Sequence, residues 1–534
     1  MQFIKTLVLA VALLSVILPS DAQSRILPCP LVYQSSIESF RLGKKVKLYC
    51  SPLLKKEGKY LKDWLKEACG VDVTLCRHPQ KATIRMIHNV NVLPGREESY
   101  QLDVNSESVV IESNSAAGSF YGIQTLRQLL QTDGGECSFR GGHIEDAPRF
   151  SWRGFMLDEA RNFKGKEVVK RLLDEMAALK MNVFHWHLTN DQGWRIEIKK
   201  YPRLTAVGAY RDSTELYHFK SNVYDGLPHG GFYTQKDLKE MVRYAEDRHI
   251  TIVPEITLPG HLTAACAAYP WLGTSGKTVK VSPRFGAHYN ALNVALPEVY
   301  DFLSDVFDEV IAIFPSPYIH IGGDEVRYQQ WNESSQIQQF MEEHQLHSGA
   351  ELQVYFTNRL SEMLEQKGRN LMGWNEITGD RLHAYQVQND GKQMEAVLAK
   401  GTLVQFWQGS PKLINKAIEK GYDIVNSYNT YTYLDYDYGR ISLRKAYDFE
   451  PVPAGLDEEK AQKVKGLGCQ MWGEFIPTVE QMNKMVFPRI AAYAEVGWTT
   501  KENRNYENFL QSLQPILKRW QERGINYGPV EELK

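Results

Sequence analysis

From Arg149 onward the chain repeats one pattern: a short apolar run, then an amphipathic stretch. The apolar runs fall at residues 154–158, 183–188, 251–255, 318–322, 371–374, 403–407, 423–427 and 467–472, eight in all. The stretch at 167–180 shows what separates them: Val168, Val169, Leu172, Leu173, Met176 and Leu179 share one helical face. Strands that alternate with helices build a parallel sheet, because each connection must cross back over the sheet face. Eight such units over residues 148–534 predict an α/β fold, a closed (β/α)8 TIM barrel. An open doubly wound sheet is the alternative. No Gly-rich dinucleotide fingerprint follows the first strand, which counts against it.

Residues 24–147 read differently, as a small α+β domain with no catalytic pattern. Val46, Leu48 and Cys50 alternate, as do Tyr100, Leu102 and Val104, which suits half-buried strands. Tyr60, Leu61, Trp64, Leu65 and Ala68 recur at helical spacing, and a second helix is expected over 116–130. Asp146-Ala147-Pro148 marks the boundary, since proline disfavours helix in the residue before it. Residues 1–22 read as a secretory signal: Lys5, an apolar run from Leu7 to Leu18, then small residues at Ser20 and Ala22. That run is short for a membrane span and no later segment qualifies, so an exported protein, periplasmic or secreted, is expected without a transmembrane anchor. Seven cysteines are sparse for 534 residues, and an odd count leaves one unpaired. Cys69 and Cys76 are close enough to pair across a turn. A net charge of −2 argues against nucleic acid as a partner.

The chemistry concentrates at the C-terminal ends of the expected strands. Residues 320–326, HIGGDEV, carry an apolar lead-in, two glycines and then adjacent carboxylates, Asp324 and Glu325. Two neighbouring acids in a dry site do not both ionise cheaply, so one is expected to hold a proton near neutral pH. Asp158 and Arg161, then His185, His187, Asn190 and Asp191, end the first two strands. Glu255 and His261 end the third, and Trp374, Trp407, Tyr433 with Asp435, and Trp472 with Glu474 end the last four. In a barrel these rim side chains meet over one pocket.

The segments RGFMLDEAR (153–161), HWHLTNDQGWR (185–195), PEITLPGH (254–261) and HIGGDEV, with the later GWNE, FW, YLD and MWGE, resemble the family-20 glycoside hydrolases, the β-N-acetylhexosaminidases. The resemblance covers essentially the whole chain. It implies cleavage of terminal, non-reducing β-linked N-acetylglucosamine or N-acetylgalactosamine from an oligosaccharide or glycoconjugate, with no cofactor or metal. It implies Glu325 as general acid/base, Asp324 as the group that orients the 2-acetamido group, and Tyr433 as donor to the acetamido oxygen. Trp374, Trp407 and Trp472 would wall the pocket, and Arg161, Asp435 and Glu474 would grip the outer hydroxyls. His261 would sit in a polar relay to Glu325. Two positions depart from the family's common pattern: Asn190 and Thr257 stand where acids are frequent. Both are expected around the relay, with Asp191 next to them.

Adjacent strand residues face opposite ways, so Asp324 and Glu325 are unlikely partners as acid and direct nucleophile across one bond, which requires carboxyls about 5–5.5 Å apart. Substrate assistance through the acetamide oxygen fits better, with retention of configuration. Two rival readings stand beside this one. His185-Trp186-His187, with His261 and His320, offers the ligands of a metal-dependent hydrolase, although no standard zinc spacing is present. A non-catalytic sugar-binding protein on the same barrel is the other, since fold alone does not prove chemistry.

Overall fold

A computed structural model describes residues 25–530 apart from 287, 289 and 388–395. The leader at 1–22 lies outside the described residues. Eight parallel strands close into a barrel. In chain order they are β1 (Trp152–Asp158), β2 (Val183–His187), β3 (Thr251–Leu258), β4 (Tyr318–Gly322), β5 (Asn370–Trp374), β6 (Leu403–Phe406), β7 (Asp423–Asn426) and β8 (Val464–Met471). β8 pairs with β1 to complete the ring, with Gly468 opposite Gly154. The closed barrel replaces the open-sheet alternative.

Side chains alternate in and out along each strand, so inward residues stack in layers. The lowest layer is apolar: Trp152, Val183, Val253, Met372, Leu403 and Val425 pack together. The next is polar. His185, Glu255 and His320 are buried side by side, placed there by register: His187 lies opposite Glu255, and Glu255 opposite His320. The uppermost layer is aromatic: Met156, Trp374, Trp407, Tyr433 and Trp472. The barrel is thus a filled core whose polarity changes with height.

The front domain is an eight-stranded mixed sheet carrying helices Lys55–Cys69 and Ala116–Gln128. Ser115 caps the second helix by accepting from the Gly118 N–H. All seven cysteines are free thiols. The expected Cys69–Cys76 pairing is not present: the Cys76 thiol donates to the His78 carbonyl, while Cys69 meets Cys137. Sequence proximity misled here because the chain turns back at the left-handed Gly70, and the strand Asp72–Leu75, parallel to Lys45–Cys50, carries Cys76 away from the helix end that holds Cys69.

Buried charge joins the two domains beneath the barrel. Lys180 Nζ sits 2.8 Å from Asp146 Oδ2, both side chains fully buried. Asp146 also accepts from the Tyr100 hydroxyl (2.6 Å) and from Trp498 Nε1 (2.9 Å). Arg153, read from the sequence as structural, reaches Glu98 of the front domain at 2.9 Å and donates to the Lys180 carbonyl. Lys180→Met should therefore cost about 3–5 kcal/mol, because Asp146 would stay buried without its counter-charge. Urea unfolding would measure this, and adding Asp146→Asn should recover part of the loss. A cost below roughly 1 kcal/mol would mean that the pair does not anchor the domains.

Candidate active site

The carboxylate pair hangs on a backbone turn that only glycine-rich sequence allows. β4 ends at Gly322, and both Gly322 (φ 71°) and Gly323 (φ 92°) are left-handed. A side chain on Gly322 would meet Thr257 Cγ2 at 2.7 Å, and one on Gly323 would meet Ile377 Cγ2 at 2.6 Å. Glu325 itself is left-handed (φ 52°), an uncommon state for a non-glycine residue and one that clusters at functional sites. Asp324 and Glu325 thus point apart because of this turn. Strand alternation, the sequence-based reason for separating them, does not apply, since both lie beyond the strand.

His261, also left-handed (φ 52°), joins them. Its Nδ1 lies 2.9 Å from Asp191 Oδ2, and its Nε2 lies 3.4 Å from Glu325 Oε2 and 3.8 Å from Asp324 Oδ2. Asp191 is fixed in turn by the Thr263 N–H and hydroxyl. Burial opposes a charged His261 ring, but Asp191, Glu325 and Asp324 outweigh it and hold its pKa well above the usual value. Burial would raise Glu325, yet contact with His261 brings it down to about 2. Asp324 moves the other way, to about 7, through burial and the nearby Glu376, Glu255 and Glu325 charges, against the pull of His261. Of the pair, Asp324 is the carboxyl held toward its protonated form.

Asp324 and Glu325 line a cavity of about 550 Å³. Arg161, Asp435 and Glu474 line it too. Arg161 contacts Asp158 Oδ2 (3.2 Å) and Glu474 Oε1 (3.6 Å), and its guanidinium sits over the Trp472 ring. Burial and the Glu474 charge push Asp435 up to about 8. Trp407 and Tyr433 stack nearly parallel (11°), and Trp374 and Tyr433 both pack against Trp472. Trp407 is held by a 2.9 Å bond from its Nε1 to Glu376. Four buried polar atoms here, Arg161 Nε, Asp324 Oδ1, Asp435 Oδ1 and Trp472 Nε1, have no hydrogen-bond partner among the described residues.

Asn190 departs from expectation. It is buried away from the cavity, and its Nδ2 lies 3.0 Å from His187 Nε2, with no contact to His261. Thr257 likewise sits outside the relay, its hydroxyl shared between the Thr189 carbonyl and Glu255. The physical reason is strand direction: both side chains turn toward the layer beneath the pocket. There Glu255 Oε2 lies 2.7 Å from His185 Nε2 and 2.8 Å from His187 Nδ1, and Oε1 accepts from Trp374 Nε1. Asn190 and Arg161 both offer donors to His187 Nε2, so that nitrogen accepts and the proton sits on Nδ1, facing Glu255. His187 and His320 outweigh burial and keep Glu255 well below the usual carboxylate range, while burial lowers His185 to about 4.

His185, Glu255 and His320 are the metal-ligand cluster found among the described residues. They do not fit an open catalytic metal site. The carboxylate already faces two imidazoles and an indole, His320 Nδ1 accepts the Gly322 N–H, and Trp374 lies over the set. Sequence reasoning missed Glu255 as the hub; its signal was the count of histidines on neighbouring strands. It also left unread the residues 219–220 and 284–286, which reach the cavity mouth from the long loops after β2 and β3.

A closed barrel that offers paired carboxylates, an aromatic wall and a charged grip at one rim is the architecture of a barrel glycosidase. Comparison with known proteins narrows this. Residues 150–501 match the profile described as glycosyl hydrolase family 20, catalytic domain, and residues 23–147 match that of glycosyl hydrolase family 20, domain 2. The chain belongs to glycosyl hydrolase family 20. The β-hexosaminidase of Porphyromonas gingivalis is 35% identical over 95% of this chain and 64% of its own length, and that of Vibrio furnissii 36% over 76% and 66%. The chain thus spans just under two thirds of these two relatives. The β-N-acetylhexosaminidase of Cellulomonas fimi is 31% identical over 82% of this chain and 81% of its own. The solved structure of the Vibrio harveyi exo β-N-acetylglucosaminidase in complex with N-acetylglucosamine aligns with a TM-score of 0.82 at 32% identity, covering 95% of this chain and 78% of that one.

The raised Asp324 makes a signed prediction. Its folded pKa, about 7, lies above the unfolded 3.8, so it contributes stability that is present below about 4 and lost as pH rises through 7. Asp324→Asn mimics the protonated form. It should leave stability unchanged at pH 3.5 and raise it at pH 8 by on the order of 2–4 kcal/mol. Denaturant unfolding at both pH values would check this, and equal effects at the two would contradict the assignment.

Proposed function

We propose that this protein is an exo-acting, retaining β-N-acetylhexosaminidase that works by substrate assistance. One observation carries the reading: Glu325 stands open in the cavity, its side chain 33% exposed against 14% for Asp324, 16% for Glu474 and 6% for Arg161. Arg161, Asp435 and Glu474 suit the outer hydroxyls of a terminal sugar, and the bond to be broken then lies under Glu325. The partnerless atoms Arg161 Nε and Asp435 Oδ1 and the tryptophan wall match a ring that is hydroxylated on its edge and apolar on its face.

Glu325 protonates the glycosidic oxygen as the C1–O bond breaks. At rest it is ionised beside a charged His261, so the proton it delivers is on hand 3.4 Å away. Substrate that covers the mouth strips water from Glu325 and favours that transfer. The acetamide oxygen attacks the anomeric carbon from the opposite face, gaining the advantage of proximity. Asp324, in its ionised form, accepts the amide N–H and offsets the developing oxazolinium charge. Water then opens the ring as its proton returns to Glu325, and configuration is retained. Tyr433 donates to the acetamido oxygen. The sequence supports export by the leader at 1–22, which N-terminal sequencing of the mature protein would test.

Glu325→Gln should nearly abolish turnover of a disaccharide, with a smaller loss on an activated aryl glycoside that needs little protonation. A β-glucoside with a plain 2-hydroxyl should turn over negligibly, and NMR should find the β-anomer as first product. An α-anomer, or efficient turnover of the 2-hydroxyl substrate, would return the search to a protein nucleophile. Absence of any activity on aryl N-acetylhexosaminides would favour a sugar-binding protein.

A further inference from the structure

The cavity is also lined by groups that the reaction above does not use. Phe219, Phe285 and Phe475 form an edge-to-face trio, with ring centroids 5.0 and 5.1 Å apart. Three cations, Lys220, Arg284 and Arg327, line the same cavity. Among the described residues none of the three charged ends has an ion pair or hydrogen bond; the Arg327 guanidinium rests on the Tyr385 ring at 4.1 Å. Three of the cavity's carboxylates face other groups: Asp324 and Glu325 face His261, and Glu474 faces Arg161. The mouth cations are therefore not counter-ions of the catalytic pair.

The platform is built into the fold. The Phe285 N–H donates to Glu215 (3.0 Å), the Glu215 N–H donates to the Pro283 carbonyl (2.8 Å), and Gln192 donates to the Arg284 carbonyl (2.7 Å). These bonds staple the loop after β3 to the segment that carries Phe219 and Lys220. An aromatic patch offers a face to the C–H side of a pyranose, and guanidiniums match carboxylate and sulfate oxygens with paired donors.

We propose that the leaving-group side of this site is a subsite for an acidic sugar, a pyranose that bears a carboxylate or sulfate, stacked on the exposed ring of Phe219, which Phe475 and the buried Phe285 back, with its anion toward Arg284, Arg327 and Lys220. The inference rests on the glycosidase reading above and names the substrate class of that same site.

The test uses matched disaccharides with terminal β-N-acetylglucosamine in one linkage to glucose, glucuronic acid or glucose 6-sulfate, together with a neutral aryl N-acetylglucosaminide. At low salt kcat/KM should favour an acidic aglycone over glucose by about fivefold or more, mainly through KM. The carboxylate and sulfate arms identify which anion is read. At 0.5 M salt the preference should shrink, since these cations are near the surface. Arg284→Gln with Arg327→Gln should bring the acidic-to-neutral ratio toward one, whereas Arg284→Lys with Arg327→Lys should keep most of it. A neutral aglycone preferred or equal in the unaltered enzyme overturns the proposal, and so does a ratio that survives both high salt and neutralisation. Failure to cleave the aryl substrate would instead sink the glycosidase reading and this inference with it.

Discussion

The upper half of the barrel is organised around one buried carboxylate. Glu255 sits wholly out of water, where an unpaired charge costs several kcal/mol. The protein meets that cost with groups from two other strands, His185 and His187 of β2 and Trp374 of β5, and with the hydroxyl of Thr257 on its own strand. Each such contact fixes a side chain that the pocket needs. Trp374 is held as the floor against which Trp472 packs, and His187 fixes the distance between Asn190 and Arg161. The neutral residues at 190 and 257 fit this arrangement. Acids there would add negative charge beside Glu255 in a layer with no water, and like charges so placed would force protonation. Asn190 supplies a donor to His187 without that burden.

Above this layer, charge is distributed by the backbone. The left-handed turn at Gly322, Gly323 and Glu325 sends Asp324 inward and Glu325 toward the opening. His261, braced by Asp191, then lies between them. The consequence is an inversion of the simple expectation for a general acid. At rest the outer carboxyl is ionised and the inner one held toward its protonated form, with a further proton on the ring that touches both. The arrangement keeps both carboxylates within 3.8 Å of one imidazole nitrogen, so that the three groups titrate together.

Much of this was legible in the sequence because two signals are local. Strand–helix alternation sets a parallel sheet, and eight apolar runs set its closure; the observed strands begin and end within a few residues of the expected ones. The HIGGDEV segment carries its own turn, since glycines at 322 and 323 are required by φ and by the close approach of Thr257 and Ile377. What was illegible depends on register between distant strands. Nothing within the sequence near 190 or 257 says that these side chains face Glu255 and not His261; that follows from His187 lying opposite Glu255 across β2 and β3. Cys69 and Cys76 show the same limit, for sequence proximity says nothing about which way a strand leaves a helix. The mouth loops were opaque for a third reason: they lack periodicity, and their side chains acquire meaning only when Phe219, Phe285 and Phe475 meet.

The site is also where the fold stores unfavourable terms. Asp324, Asp435 and Glu474 are all held above their ordinary pKa by burial, Glu325 and His261 occupy left-handed backbone, and several polar atoms lack partners. Such terms persist only where the surroundings over-determine them. Below the rim they are over-determined twice: by the apolar layer from Trp152 to Val425, and by the Lys180–Asp146 and Arg153–Glu98 contacts that tie the front domain to the barrel floor. The front domain has no residue in the cavity lining; its contribution, through these buried charges, is to hold the end of the barrel opposite the strained rim.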